Sequence, residues 1–188
     1  MKSALKKIFP KLKQYYDDIY FCDEMRSGTR SQCKTRWSTK GHRPCCRMKL
    51  GYEFCYLYAA LCPWTGHLIG LILPDMSKAS FCLFCSYFSK QVKHLDAPKP
   101  VLLIADQASA HQKQVCLKAG IALQHLPTAC PELNPAERLF EELRKQMSNQ
   151  VYASIEQVED QLSDVLQKYF HNPHQIVQLC HYPYLRTP

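Results

Sequence analysis

PKPVLLIAD, residues 98–106, is the stretch on which the fold turns. Pro100 bounds it on one side, and Val101 to Ala105 run apolar without the polar alternation of a half-buried strand. A helical pattern follows over 109–119. A short continuous apolar run in that setting reads as a fully buried strand with a parallel neighbour.

Working outward, IYFCDEM (19–25) alternates and is rich in apolar and aromatic residues, the pattern of a strand. KLGYEFCYLYAALCP (49–63) and HLIGLILP (67–74) flank the turn-like Trp64, Thr65 and Gly66 and read as a hairpin. Three adjacent antiparallel strands are therefore expected ahead of the buried one. Between the first and second, residues 27–44 are basic, contain two glycines and lack periodicity, which predicts an exposed loop. Residues 77–94 place Phe81, Phe84, Cys85 and Phe88 at helical spacing, a helix packed on the sheet. Downstream, IALQHLP (121–127) is a short strand, and helices are predicted over 134–149 and 154–170, the second opening on a capping box of Ser154 and Gln157. Three strands, helix, strand, helix, strand, helices make an α/β domain with a mixed sheet.

At 188 residues the chain is long enough for one well-buried core. Its 46% hydrophobic and 21% charged content are those of a globular protein, and no low-complexity tract or Gly/Ser linker divides it. Residues 1–16 are basic but lack the apolar stretch of a signal peptide, and no later run approaches the roughly 18 residues of a membrane span. A soluble, cytoplasmic protein is expected. The 11 cysteines are odd in number and come without a secretion signal, so reduced thiols are expected. A zinc site built from Cys45, Cys46, Cys82 and Cys85 is the weaker reading, because FCLFCSYF (81–88) makes a helix face and no second CxxC completes a ligand set.

Charge is segregated. Residues 1–50 hold 13 Lys or Arg against four Asp or Glu, whereas residues 51–188 hold 11 against 12. A basic segment of this kind is the footprint of a polyanion partner, since each neutralised phosphate releases counterions; a solvated tail is the alternative for Lys2 to Lys13.

Three carboxylates stand at unusual places. Asp23 lies inside the first strand, where a carboxylate needs a partner, a metal or an exposed sheet edge. Asp106 ends the buried strand, where open α/β sheets hold their ligands, but it also suits a helix cap. Glu137 follows Asn134 and Pro135 as N3 follows N-cap and N1, a helix start that needs no metal.

Four stretches together resemble the insertion-sequence-630 family of DDE transposases, in the mariner superfamily. FCDE (21–24) is similar to the strand bearing the first catalytic Asp, and RWSTKGHRP (36–44) to the family's Trp-Ser-x-Lys-Gly-x-Arg-Pro loop. ADQASAH (105–111) is similar to the second-Asp motif, and LPTACPELNPAERLF (126–140) to the segment bearing the final Glu. The likeness covers about residues 19–150 in the family's order. It implies an RNase H-like fold with a five-stranded sheet, three strands antiparallel and two parallel. Residues 1–18 then form a basic lead, 19–150 the catalytic domain and 151–188 a helical appendage of the same domain.

The resemblance also implies two Mg²⁺ or Mn²⁺ ions on Asp23, Asp106 and Glu137, cleavage of DNA at transposon ends, and transfer of the freed 3′-hydroxyl into target DNA. Arg36, Trp37, Lys40, Arg43, His111 and Arg138 are the candidate DNA contacts. Lys40 and Arg43 suit phosphates, and Trp37 a base or else the sheet. His111 suits a phosphate, the orientation of a metal ligand, or a plain surface or capping position, and Arg138 suits DNA or an ion pair with Glu141 or Glu142. Insertion at TA steps, which unstack easily, and a homodimeric active complex on the nucleoid are further implications.

Departures from the family are Gln107 in place of Asn, Cys130 and Phe140 in place of Ser and Trp, and an interval from Asp106 to Glu137 short by about one helical turn. Family members carry a helix-turn-helix module ahead of the first strand, so a split or truncated copy is expected, with a separate helix-turn-helix polypeptide or frameshift-fused half as partner. The rivals are an RNase H-like nuclease that cuts without joining and an inactive remnant that only binds DNA or a partner.

Overall fold

A computed structural model describes residues 11–12, 15–16, 18–92 and 100–185. Most of the basic lead assigned to 1–18 therefore lies outside the described residues. Five strands, β1 (Ile19–Gly28), β2 (Phe54–Leu61), β3 (Leu68–Leu73), β4 (Val101–Ala105) and β5 (Ile121–His125), form one sheet in the order β3-β2-β1-β4-β5. β1, β2 and β3 pair antiparallel, while β4 joins β1, and β5 joins β4, in parallel. The mixed five-stranded sheet expected from the sequence is the one observed.

β1 is the central strand, and alternation sends its side chains to two different cores. Tyr20 and Cys22 face helix α1 (Lys78–Val92), where Phe81, Phe84 and Phe88 are fully buried, together with Cys116 of α2 (Lys113–Lys118). Met25 faces the other layer, made by α3 (Ala136–Met147), α4 (Ile155–Phe170) and α5 (Pro173–Cys180). In α3 the buried residues are Ala136, Leu139, Phe140 and Leu143, an i, i+3, i+4, i+7 stripe laid on Leu57, Ala59 and Leu61 of β2. Each fully buried Leu or Phe in such a stripe contributes about 1.5–3 kcal/mol relative to exposure. All five residues of β4 are buried, as its unbroken apolar run predicts.

Several boundaries differ from expectation. The helix predicted over 109–119 is the six-residue α2, because Asp106 to Ala110 are occupied by a turn closed by Asp106 and His111. The strand predicted to residue 127 ends at His125, where its pairing with Ala105 ends. At α4, Gln157 reaches back to Ala153 N rather than to Ser154, whose own side chain makes no cap bond. Helix α5 was not anticipated, being only eight residues opened by Asn172 and Pro173. Its start sits tightly on the β2–β3 turn, where Gly66 (φ 75°) allows no Cβ against Pro173 O. No helix among the described residues is long and apolar enough to cross a membrane.

Candidate active site

Parallel pairing sets the first two carboxylates side by side. Ile19 is registered with Leu102 and Phe21 with Ile104, so two residues further on Asp23 stands beside Asp106 where β4 ends. Asp23 is not on a sheet edge, since β1 has neighbours on both sides. Alternation points it to the α3 layer. There Oδ2 accepts from Asn134 Nδ2 at 3.1 Å, while Oδ1 accepts from Glu24 N at 2.9 Å.

Asn134 brings the third carboxylate in. Its Nδ2 also donates to Cys22 O at 3.0 Å, and its Oδ1 accepts from Ala136 N at 3.1 Å, so one buried amide caps α3 and ties its first turn to β1. Glu137 follows in that turn. As a cap, Asn134 was legible in the sequence; its contact with Asp23 was not, because the two are 111 residues apart.

Asp23, Asp106 and Glu137 consequently line one cleft of about 340 Å³, floored by Asn134 and walled by the 126–131 loop. A larger cleft of about 820 Å³ adjoins it, sharing Pro131 and Glu137 and walled by Arg138, Tyr182 and Tyr184. Burial above all, with repulsion from Glu137, Glu24 and Asp106, lifts the Asp23 pKa from 3.8 to about 7, against the lowering effect of the Glu24 N–H. Asp106 is shifted the other way, chiefly by its bond to His111 and in spite of partial burial.

His111 sits beneath the cleft. Its Nδ1 lies 2.7 Å from Asp106 Oδ1 and its Nε2 lies 2.9 Å from Glu24 Oε1, with the ring against Phe81. Burial disfavours charge on this imidazole, but the two carboxylate bonds outweigh it and raise the pKa to about 10. The imidazole is 1% exposed, so His111 is neither a surface histidine nor placed to reach a phosphate, and it lies against two carboxylates. Asp106 likewise is no helix cap: its Oδ1 accepts from Ala108 N at 3.0 Å, closing a turn ahead of α2.

Among the described residues, no three His, Cys, Asp or Glu side chains stand close enough together to hold an ion as placed. Glu137 Oε2 is drawn to Arg144 Nη1 at 3.4 Å, and Asp106 Oδ1 is taken by His111. The donor set still suits a hard divalent cation, being all carboxylate oxygen, and a cation would offset the burial and the lesser repulsion that keep Asp23 protonated to near neutrality.

Arg36, Trp37, Lys40 and Arg43 all lie on the exposed loop between β1 and β2. Trp37 is fully exposed, so it does not pack on the sheet. The root of this loop is tied to the end of α3, where Asn149 Oδ1 accepts from Lys34 N at 3.0 Å and Asn149 N donates to Gln32 O at 2.8 Å. Arg138 pairs with Glu141 at 3.1 Å and stands 5.8 Å from the Tyr182 ring centre. Gln107, where the family has Asn, donates to Leu126 O at 3.0 Å and accepts from Thr128 Oγ1 at 3.2 Å, tying the end of β4 to the cleft wall.

Compared with known proteins, residues 18–159 match the family described as DDE superfamily endonuclease, most of the chain. The chain belongs to the DDE superfamily endonucleases. Agreement with the resemblance read from the four motifs is direct, since the match covers all of them. Among individual relatives, an uncharacterized protein y4pE/y4sA of Sinorhizobium fredii (strain NBRC 101917 / NGR234) is 29% identical over 105 residues, 55% of this chain and 76% of the relative. The fold of this DDE endonuclease is that of the Mos1 mariner transposase catalytic domain: TM-score 0.63 at 12% identity over 98% of this chain and 89% of the solved one. The Mos1 paired end complex with Mn gives a TM-score of 0.67 at 14% identity, covering 96% of this chain but 59% of that chain. For the Mos1 Strand Transfer Complex the values are 0.65 and 15%, over 98% and 59%. The chain thus spans somewhat over half of the transposase chains in those complexes.

Proposed function

We propose that this endonuclease is the catalytic domain of a DNA transposase, with Asp23, Asp106 and Glu137 as the ligands of two divalent cations. The observation that carries the reading is the cleft itself. It gathers a carboxylate from the central strand, one from the end of its parallel neighbour and one from a helix start, in the order the family's motifs require. The Mos1 paired end complexes solved with Mn and with Mg support the choice of Mg²⁺ or Mn²⁺. Bound there, a pair of such ions supplies activation of the attacking oxygen and neutralisation of the leaving one.

The chain's own residues do the rest. Asn134 holds Asp23 and the first turn of α3 in one geometry, so that a phosphodiester entering the cleft meets all three carboxylates. Lys40 and Arg43 take phosphates, Trp37 offers a ring face to a base, and Arg36 and Arg138 flank the DNA path. Water first attacks the phosphorus at the element end and a 3′-hydroxyl leaves. That hydroxyl then attacks a target phosphodiester in line, joining to the target's 5′-phosphate and releasing the target strand's 3′-hydroxyl, with no bond to the protein. In this reading residues 19–150 are the catalytic unit and 151–188 part of the same domain. The active complex is a homodimer on DNA in the cytoplasm, at TA targets.

Purified protein incubated with a precut transposon end, plasmid and Mg²⁺ or Mn²⁺ is the test. Metal-dependent joining that Asp23→Ala, Asp106→Ala and Glu137→Ala each abolish is the expected result. Cleavage without joining, or DNA binding with neither, would overturn the reading in favour of a nuclease or a remnant.

A further inference from the structure

Glu24 has no part in the chemistry above, yet its carboxyl is almost wholly hidden. Its side chain is 3% exposed and, one residue after Asp23, points to the opposite face of the sheet. There Oε1 lies 2.9 Å from His111 Nε2, while His111 Nδ1 lies 2.7 Å from Asp106 Oδ1. Each ring nitrogen thus faces one carboxyl oxygen. The ring is fixed on its flank by Phe81, 4.5 Å between centres, and the His111 carbonyl is fixed by His125 Nε2 at 3.0 Å.

We propose that Glu24 and His111 are positioning residues that brace Asp106 for the divalent ion, an inference that rests on reading Asp106 as a metal ligand. Asp106 needs such a brace. It stands beyond the last residue of β4 with its side chain 56% exposed, where an unrestrained carboxylate samples several rotamers. Ala108 N and His111 both bond Oδ1, and among the described residues Oδ2 carries no bond, which presents it to the cleft. The brace also sets a distance. Asp23 and Glu24 are consecutive on β1, so the chain Glu24–His111–Asp106 fixes the second ligand relative to the first.

A ring held at one nitrogen alone can still pivot about that contact. Glu24 holds the far nitrogen, so the imidazole is fixed at both ends and Asp106 rests against a rigid support. Carboxylate-to-imidazole supports of this type change metal affinity by about 10–100-fold when removed.

Mn²⁺ titration followed by electron paramagnetic resonance tests this without reference to catalysis. His111→Gln and Glu24→Ala, each checked for folding by circular dichroism, are expected to weaken Mn²⁺ binding by about 10–100-fold. The double variant should be no weaker than the worse single one, because both act through Asp106. Glu24→Gln, which retains an acceptor oxygen, should restore a large part of the affinity lost in Glu24→Ala. Should the variants fail to fold, ¹⁵N NMR of the wild-type imidazole decides: a proton held on Nδ1 toward Asp106 supports the brace, and a bare Nδ1 overturns it. Asp106→Asn serves as the reference. If it loses Mn²⁺ while folded His111→Gln binds as the wild type does, the brace is wrong and the ligand assignment stands. If Asp106→Asn itself binds normally, the ligand assignment fails and the brace with it.

Discussion

Replacing Asp23 by Asn should stabilise the metal-free protein, and by more as the pH rises. In the wild type, burial first and the neighbouring carboxylates second raise the Asp23 pKa from 3.8 to about 7. Between those values the folded state holds a proton that the unfolded chain has released, so stability falls as pH rises through the window and levels off above about pH 7. At about 1.4 kcal/mol per pH unit, the ionisable group costs the fold roughly 1 kcal/mol at about pH 4.5 and roughly 4 kcal/mol at about pH 8.5. Asn avoids this at both. It forfeits one of the two N–H bonds that Asp23 accepts from Glu24 and Asn134, a loss on the order of 1 kcal/mol that does not vary with pH. The variant should therefore match the wild type at the lower pH and exceed it by about 3 kcal/mol at the higher, a Tm difference of roughly 6–12 °C for a domain of this size. Differential scanning calorimetry in EDTA measures it. A Tm difference that stays constant between the two pH values would refute the placement of Asp23 in a buried, mutually repelling cluster. The same substitution should abolish joining, a trade of function for stability.

Arg144→Ala removes a partly exposed ion pair, so stability should fall by less than about 1 kcal/mol. Glu137 is then released toward the cleft and Mn²⁺ binding should tighten; weaker binding would show that Arg144 positions Glu137 rather than diverting it. Phe140→Ala empties a fully buried site between α3 and the sheet, and urea unfolding should register a loss of about 3–5 kcal/mol. A loss under about 1 kcal/mol would contradict the packing of α3. Lys40→Ala and Arg43→Ala, on the exposed loop, should leave Tm unchanged while each lowers the slope of log affinity against log salt by about one. An unchanged slope in DNA-binding titrations would remove them from the phosphate path.

The sheet was readable because its two signals are unambiguous. Alternation in 19–25 fits a strand whose faces meet different layers, and the unbroken run 101–105 fits one buried on all sides. The basic loop was nearly as plain, having neither period, but it begins later than residue 27, since β1 runs on to Gly28, and Thr29 and Ser31 are buried. The site was harder, for a physical reason. Asn134, Pro135 and Glu137 look the same whether they start a helix or build a ligand set, and here Asn134 does both. Nor could local pattern separate the readings of Asp106, because an Asp that closes a turn and one that caps a helix satisfy the same backbone donors. What stayed invisible were contacts across the fold: His111 with Glu24, 87 residues apart, and the root of the basic loop on Asn149, 115 residues from Lys34. Glu137 with Arg144, seven residues along α3, is two turns apart and escaped the i, i+4 rule.

The central claim is that Asp23, Asp106 and Glu137 converge on divalent ions in one cleft. Crystals soaked in Mn²⁺ and measured at the manganese absorption edge test it most directly. The account predicts anomalous density between the three carboxylates, with Glu137 turned away from Arg144 and Asp106 still held by His111. Density elsewhere on the chain, or none at saturating Mn²⁺, would contradict it.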